Sequence, residues 1–138
     1  MKQLATIRAA AAAQPVELVP TLLAEHEVPD EYRHRRGAYL DMVCEEIVPA
    51  AAEQGLARFC DVFCEKGVFS AAESRRVLAA GVRYGLLPRL HADEFVDSGG
   101  ALLAAELGAY SADHLMAVSP AGIDALAAAG VTALLLPG

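Results

Sequence analysis

The sequence predicts an α/β protein, and more narrowly part of a (β/α)₈ TIM barrel with about five parallel strands. Five short apolar segments alternate with helical segments along the 138 residues, and strands that alternate with helices pair in parallel through crossover connections. The apolar segments are continuous, which is typical of strands in a covered sheet. Gly-rich phosphate loops of the forms GxGxxG and GxxxxGK[ST] are absent, which favours a barrel over a doubly wound nucleotide-binding sheet.

The first elements follow from apolar periodicity and from helix-ending residues. Residues 1–13 predict a helix, and residues 16–24 predict a buried strand in which Pro20 requires an irregularity. Residues 37–54 have the apolar spacing of a helix that packs one face, and Gly55 ends it.

The remaining elements repeat the same alternation. Residues 59–63 predict the second strand, and Ser70 with Glu73 has the spacing of a capping box that opens a helix closing at Gly85. The later elements are a strand at 86–90, a helix at 99–107, a strand at 110–112, a helix opened by Ser119 and Pro120 and closed by Gly130, and a strand at 131–136.

Length and charge restrict the class of protein. A complete barrel of this type needs about 250 residues, so residues 1–138 predict a single, incomplete barrel domain. The net charge of −7 and the single small basic cluster around His34 predict no nucleic-acid partner, and His34 is assigned no role. No apolar stretch approaches the length of a membrane span, and the three cysteines lack zinc-site spacing. We therefore expect a cytoplasmic protein with no membrane partner.

Polar side chains follow the predicted strands. They are His26, Glu65, His91, Asp93, Glu94 and His114. Because the carboxyl ends of parallel barrel strands converge on one rim, these side chains are expected near one another. A neutral imidazole is a good ligand for Zn²⁺, and Glu94 follows His91 by three residues, so a metal ligand and a carboxylate would address one bound water.

Six stretches of the sequence resemble the imidazolonepropionase family, in order and over essentially the whole chain. They are TLLAEHEVP (21–29), RRGAY (35–39) with CEE (44–46), CDVFCE (60–65), LHADE (90–94), SADHL (111–115) and LLLPG (134–138). The resemblance implies the amidohydrolase superfamily, whose barrels hold one zinc or iron ion, and hydrolysis of 4-imidazolone-5-propanoate to N-formimino-L-glutamate in histidine degradation.

The resemblance also implies roles for four residues. His91 matches the metal ligand after the fifth barrel strand, and Glu94 matches the carboxylate that contacts the substrate ring and the attacking water. His114, after the sixth strand, matches a general base or substrate contact. His26 matches a histidine that helps bind the propanoate. The chain then corresponds roughly to barrel strands three to seven.

Departures from the family pattern concern both substrate and metal. The usual Gly-Ala-His-Ala around His26 has Glu25 and Glu27 on either side of the histidine, and Met116 replaces a glutamate. The His-x-His pair that supplies two metal ligands in the superfamily is absent from this sequence. One imidazole cannot hold a catalytic zinc, so the isolated chain is expected to be an inactive fragment that need not bind a metal.

Two other functions remain open from the residues. An open half-barrel has unpaired sheet edges and exposed apolar faces, which favours a non-catalytic assembly module that pairs with another copy or with a complementary barrel fragment. The third hypothesis is a small-ligand-binding α/β domain built on His91 and Glu94.

Overall fold

The computed structural model describes residues 1–137, so that Gly138, the last residue of the LLLPG stretch, lies outside the described residues. The five parallel strands are β1 (Thr21–Glu25), β2 (Phe59–Cys64), β3 (Leu87–Ala92), β4 (Ser111–His114) and β5 (Thr132–Leu134). The helices are α1 (Lys2–Ala11), α2 (Arg36–Met42), α3 (Val48–Glu53), α4 (Ala71–Arg83), α5 (Gly100–Leu107) and α6 (Pro120–Ala129).

The strands lie in the sheet in chain order, β1-β2-β3-β4-β5, and each pairs with its neighbours in parallel. A doubly wound sheet reverses its strand order at a switch point, whereas a barrel adds strands in sequence. The predicted class, five parallel strands alternating with helices, is confirmed, and the order is consistent with part of a barrel. No helix among residues 1–137 is long and apolar enough to cross a membrane.

The first predicted strand was wrong at its start, because β1 begins only at Thr21. Pro20 has no N–H to donate to a strand ladder, although its carbonyl oxygen accepts a hydrogen bond from the amide of Arg58 at 2.9 Å. Val16 and Val19, which precede it, are exposed. The proline therefore sets the strand boundary instead of interrupting a longer strand.

The third and fourth strands continue beyond their predicted ends. Ladder pairing extends through Ala92 of β3 and His114 of β4, which are partners of each other. His91 and His114 are therefore strand residues, and the prediction that they follow the strands was wrong by one or two positions. His26, Glu65 and Glu94 do follow their strands.

The helix predicted at residues 37–54 contains a π-helical turn, Val43–Ile47, between α2 and α3. Pro49 lies just beyond this turn and is buried. A proline inside a helix cannot donate an amide hydrogen and its ring crowds the carbonyl four residues earlier, here that of Glu45. The wider turn accommodates the proline without ending the helix.

The capping box and the second helix cap that the sequence predicts are both present. The Ser70 side chain accepts a hydrogen bond from the Glu73 amide, and the Glu73 carboxylate accepts one from the Ser70 amide at 2.8 Å. Arg36 also donates to Glu73 and, with these hydrogen bonds, lowers the pKa of Glu73 to about 2. The Ser119 side chain caps α6 more simply, by accepting a hydrogen bond from the Gly122 amide.

The hydrophobic core lies between the helices and one face of the sheet. Strand residues facing the helices include Cys60, Val62, Cys64, Leu90, Ala92 and Ala112, all buried. Helix α4 approaches closely because residue 81 is glycine: a Cβ there would lie 2.7 Å from the Cβ of Cys60. Cys44, Cys60 and Cys64 are buried free thiols, and burial raises the pKa of Cys60 to about 12.

Glu25, the last residue of β1, carries a carboxyl group into this core. The ladder between β1 and β2 is irregular between Leu22 and Glu25, and Glu25 pairs with the helix-facing Val62. Glu25 is 0% exposed, and neither carboxyl oxygen has a hydrogen-bond partner among the described residues. Burial, followed by the nearby charge of Glu73, raises the pKa of Glu25 to about 8.

The stability of the fold is therefore predicted to fall as pH rises from about 4.5 to about 8. In this window Glu25 is protonated in the folded chain and ionised in the unfolded chain, so the free energy of unfolding declines by up to about 1.4 kcal/mol per pH unit. Above pH 8 this group causes no further loss. Urea unfolding of the wild type and of Glu25→Gln across the window should show that the substitution removes this slope. Glu27→Gln, an exposed neighbour, is the control and should keep it.

Candidate active site

The sheet face opposite the helices carries a layer of polar side chains. Ladder pairing aligns Phe63, His91 and Asp113 side by side on β2, β3 and β4. Two positions earlier on β3, Arg89 aligns with Asp61 and with Ser111. Because side chains alternate along a strand, all these residues share the face that points away from the core. The parallel register thus assembles the site.

The centre of this layer is a hydrogen bond between His91 and Asp61. Nδ1 of His91 lies 3.0 Å from Oδ1 of Asp61, and their side chains are 23% and 4% exposed. This hydrogen bond is the largest cause of the raised pKa of His91, and burial opposes it. The imidazole is therefore held from below by a buried carboxylate, while its other nitrogen has no such partner within residues 1–137.

A second buried carboxylate, that of Asp113, stands beside His91. Arg89 donates to Oδ2 of Asp113 at 2.7 Å and to the hydroxyl of Ser111 at 3.0 Å. Oδ1 of Asp113 is buried and has no partner among the described residues. Ligand atoms of Asp61, His91 and Asp113 all lie within 4.8 Å of one another, so the three can be considered as a metal-binding group.

His114 reaches this face through a strained backbone. Its ladder partner Ala92 faces the helices, and a regular strand would place His114 on that same face. Instead His114 has a φ of 75° and the following Leu115 a φ of 57°, which is uncommon outside glycine. The His114 ring lies 5.2 Å from that of His91, and its Nδ1 lies 3.6 Å from Oε1 of Glu94.

The loop that carries Glu94 is fixed by two buried carboxylates. Asp93, with a φ of 49°, accepts hydrogen bonds from the amides of residues 98, 100 and 101 at the start of α5. Glu65 accepts from the amides of Lys66 and Phe95 and from the hydroxyl of Ser98. Burial raises the pKa of Glu65, but these hydrogen bonds outweigh it, so the pKa is lowered. Asp93 and Glu65, which the sequence places after strands, therefore shape the loop.

His26 lies at the rim directly after β1 and is exposed. Its ring stacks on Phe63, with centroids 5.4 Å apart, and meets the His91 ring edge-on at 6.4 Å. A cavity of about 360 Å³ adjoins it and is lined in part by Glu27, Arg33 and Arg36. Glu25, the other carboxylate beside His26 in the sequence, points into the core and is removed from this cavity.

One imidazole among these side chains, that of His91, is oriented as a metal ligand would be. Histidines that bind metals commonly donate their second nitrogen to a carboxylate, and His91 has such a partner in Asp61. The sequence holds no His-x-His pair to complete a zinc site. The described residues thus provide one well-oriented imidazole and two nearby carboxylates.

The structure brings together the four residues that the sequence singled out, His26, His91, Glu94 and His114, on one rim. His34, to which no role was assigned, is exposed in a separate loop. Sequence reasoning missed three polar strand residues, Asp61, Arg89 and Asp113. The available signal was a charged residue inside each otherwise apolar strand, since a buried charge needs a partner.

Known proteins similar to this chain share one description. The chain is 59% identical over 122 residues to the imidazolonepropionase of Bacteroides fragilis strain YCH46, which covers 88% of the chain and 29% of that protein. It is 56% identical over 139 residues to that of Symbiobacterium thermophilum, covering 100% of the chain and 33% of the relative. It is 53% identical to that of Myxococcus xanthus, covering 99% and 32%. The chain spans about a third of the length of these curated relatives. No family model matches the chain.

The ion pair between Arg89 and Asp113 is predicted to be important for stability. Arg89→Met keeps the length of the side chain but leaves a buried carboxylate without its cation, which should cost about 2–4 kcal/mol of unfolding free energy. Arg75→Met removes a comparable but exposed ion pair with Glu106 and should change little. Urea unfolding of both variants checks this. Equal effects would show that Arg89 does not compensate a buried charge.

Proposed function

Because the chain belongs to the imidazolonepropionase family and spans about a third of the length of its relatives, we propose that it forms the central part of such an enzyme. The reaction proposed is metal-dependent hydrolysis of 4-imidazolone-5-propanoate to N-formimino-L-glutamate, a cytoplasmic step of histidine degradation. Residues 1–138 then constitute a single incomplete barrel domain, roughly strands three to seven. The observation that supports this most directly is the convergence of three imidazoles and Glu94 on one rim.

His91 is the residue that would hold the metal ion, zinc or iron. When bound, such an ion acts as a Lewis acid and lowers the pKa of water. The chain's own contribution is to fix the His91 ring through Asp61 and to exclude bulk water from below, since Asp61 and Asp113 are buried.

Glu94 and His114 are the groups that we propose move protons. The attacking water loses a proton as its oxygen adds to the carbonyl carbon, and the ring nitrogen gains one as the C–N bond breaks. Oε1 of Glu94 and Nδ1 of His114 are 3.6 Å apart, so both groups can contact the same bound substrate. The constrained backbone at His114 keeps its ring beside His91 during this transfer.

His26 is proposed to bind the propanoate. Its ring borders the cavity that Arg33 and Arg36 also line, and cationic side chains favour a carboxylate. Arg36 is already paired with Glu73, and Arg33 with Asp30. Among the described residues that line this cavity, Glu27 is the one with a carboxylate, and we expect it to weaken rather than prevent binding.

An assembly role is the second candidate, supported by the open edges of the sheet. In the part of the chain that the structure describes, strands β1 and β5 each pair on one side only. An apolar cavity of about 510 Å³ beside β5 is lined by Leu115, Val118, Ile123, Leu126, Ala127, Val131, Ala133 and Leu135. Exposed apolar surface next to an open strand edge favours association with a second copy or with a complementary barrel piece. Sedimentation as a monomer at all concentrations would oppose this.

The catalytic proposal is tested by exchanging the matching third of the Symbiobacterium thermophilum enzyme, which aligns over the whole chain, for this sequence. The chimera should bind one metal ion and hydrolyse 4-imidazolone-5-propanoate. Glu94→Gln should lower kcat by about 10²–10⁴-fold, as expected for loss of a proton-transfer group, and His91→Ala should lose the metal. His34→Ala, at an exposed position, is the matched control.

The 138-residue chain alone is predicted to bind no stoichiometric metal and to show no turnover, because its sequence holds no His-x-His pair. Metal analysis and the same hydrolysis assay check this. Turnover by the isolated chain would mean that association of copies completes the site. A folded but inactive chimera would contradict the proposed function itself.

A further inference from the structure

Asp61 is the most buried charged side chain in contact with the proposed metal ligand. We propose that Asp61 is a positioning residue, which holds His91 in the tautomer and orientation that present Nε2 to the metal. This inference rests on the proposed function for the identity of the ligand, but the tautomer itself is a property of this chain. The contact is the 3.0 Å approach of Oδ1 of Asp61 to Nδ1 of His91.

The position of Asp61 in the sheet makes this contact specific. In the backbone ladder between β2 and β3, Asp61 is the partner of Arg89. Asp61 therefore lies two residues before the level of His91, and its side chain reaches toward the rim. At that level Phe63 is the β2 residue beside His91, with ring centroids 6.1 Å apart. The imidazole is thus held at its lower nitrogen by Asp61 and beside its ring by Phe63, which fixes the direction of the opposite nitrogen.

A carboxylate can only accept hydrogen bonds. Nδ1 of a neutral His91 must therefore carry the hydrogen in this contact, and Nε2 then carries the lone pair. A metal ligand needs that lone pair, and the partner on the other nitrogen selects which tautomer is present. Asp61 is 4% exposed at its side chain, so water competes poorly for the same hydrogen.

The charges around Asp113 oppose direct binding of an ion by the three residues together. The Arg89 guanidinium lies 2.7 Å from Oδ2 of Asp113 and supplies the positive charge that a metal would otherwise supply. The unpartnered Oδ1 of Asp113, within the 4.8 Å group, is the feature that favours the opposite assignment, in which Asp61, His91 and Asp113 are all ligands. The two assignments differ in what each aspartate does.

The test is nitrogen-15 NMR of the histidine rings in the 138-residue chain, at a pH where the rings are neutral. The wild type should show His91 with its hydrogen on Nδ1. Asp61→Asn, whose amide donates to Nδ1, and Asp61→Ala, which removes the acceptor, should both shift the hydrogen to Nε2. Asp113→Asn is the matched control and should leave it on Nδ1. Two Asp61 variants are used so that one remains informative if the other unfolds.

A second measurement, zinc affinity in the chimera, separates positioning from direct ligation. Asp61→Asn should weaken zinc binding by about 10–100-fold, and Asp113→Asn should weaken it much less. Unchanged tautomers in both Asp61 variants, or equal losses of zinc binding from the two aspartates, would overturn the proposal. Because the NMR result needs no turnover, an Asp61-dependent tautomer in a chain whose chimera is inactive would reject the proposed function and retain the positioning role.

Discussion

The in-register parallel pairing of β2, β3 and β4 is the constraint on which the site depends. It fixes which residues lie side by side, and the helices then cover one face only of each strand that they join. Every second residue of these strands packs in the core. The residues between them lie on the opposite sheet face, where their polar groups must form hydrogen bonds with one another. Asp61 with His91 and Asp113 with Arg89 do so, except that Oδ1 of Asp113 has no partner among the described residues. A slip of one residue would exchange the two faces and would bury both charged pairs among Val62, Leu90 and their neighbours.

The fold was largely predictable because the residues that begin and end its helices act through local contacts. Ser70 with Glu73, Ser119 with Pro120, and the closing glycines act within a few residues, and these helix boundaries agree with the structure. Strand ends depend on neighbouring strands, which a single segment does not reveal, so β3 and β4 extend further than the apolar runs suggest. The start of β1 was misplaced because apolar residues before Pro20 resemble a strand but have no ladder to join.

The candidate site was predictable in part for the same reason. His26, His91, Glu94 and His114 stand out as polar residues near strand ends. Asp61, Arg89 and Asp113 make sense only as a set, since each is compensated by a residue from another strand. The positive φ of His114, which turns its ring to the site face, also depends on the surrounding structure. Asp93 illustrates the reverse case, because its position after a strand placed it among the candidate rim residues, whereas in the structure it accepts hydrogen bonds from backbone amides at the start of α5.

The three buried thiols give the chain an internal reporter. Cys44, Cys60 and Cys64 lie between the sheet and its helices, and burial raises the pKa of each. A thiol reagent attacks the thiolate form of an accessible cysteine. Because these three thiols are buried, the reagent modifies them only when the helices separate from the strands. The rate of alkylation then measures how often this layer opens, as hydrogen exchange does for amides. The chain has no tryptophan, so its unfolding is difficult to follow by fluorescence. The cysteines instead allow the rate of transient opening between the sheet and the helices to be measured directly.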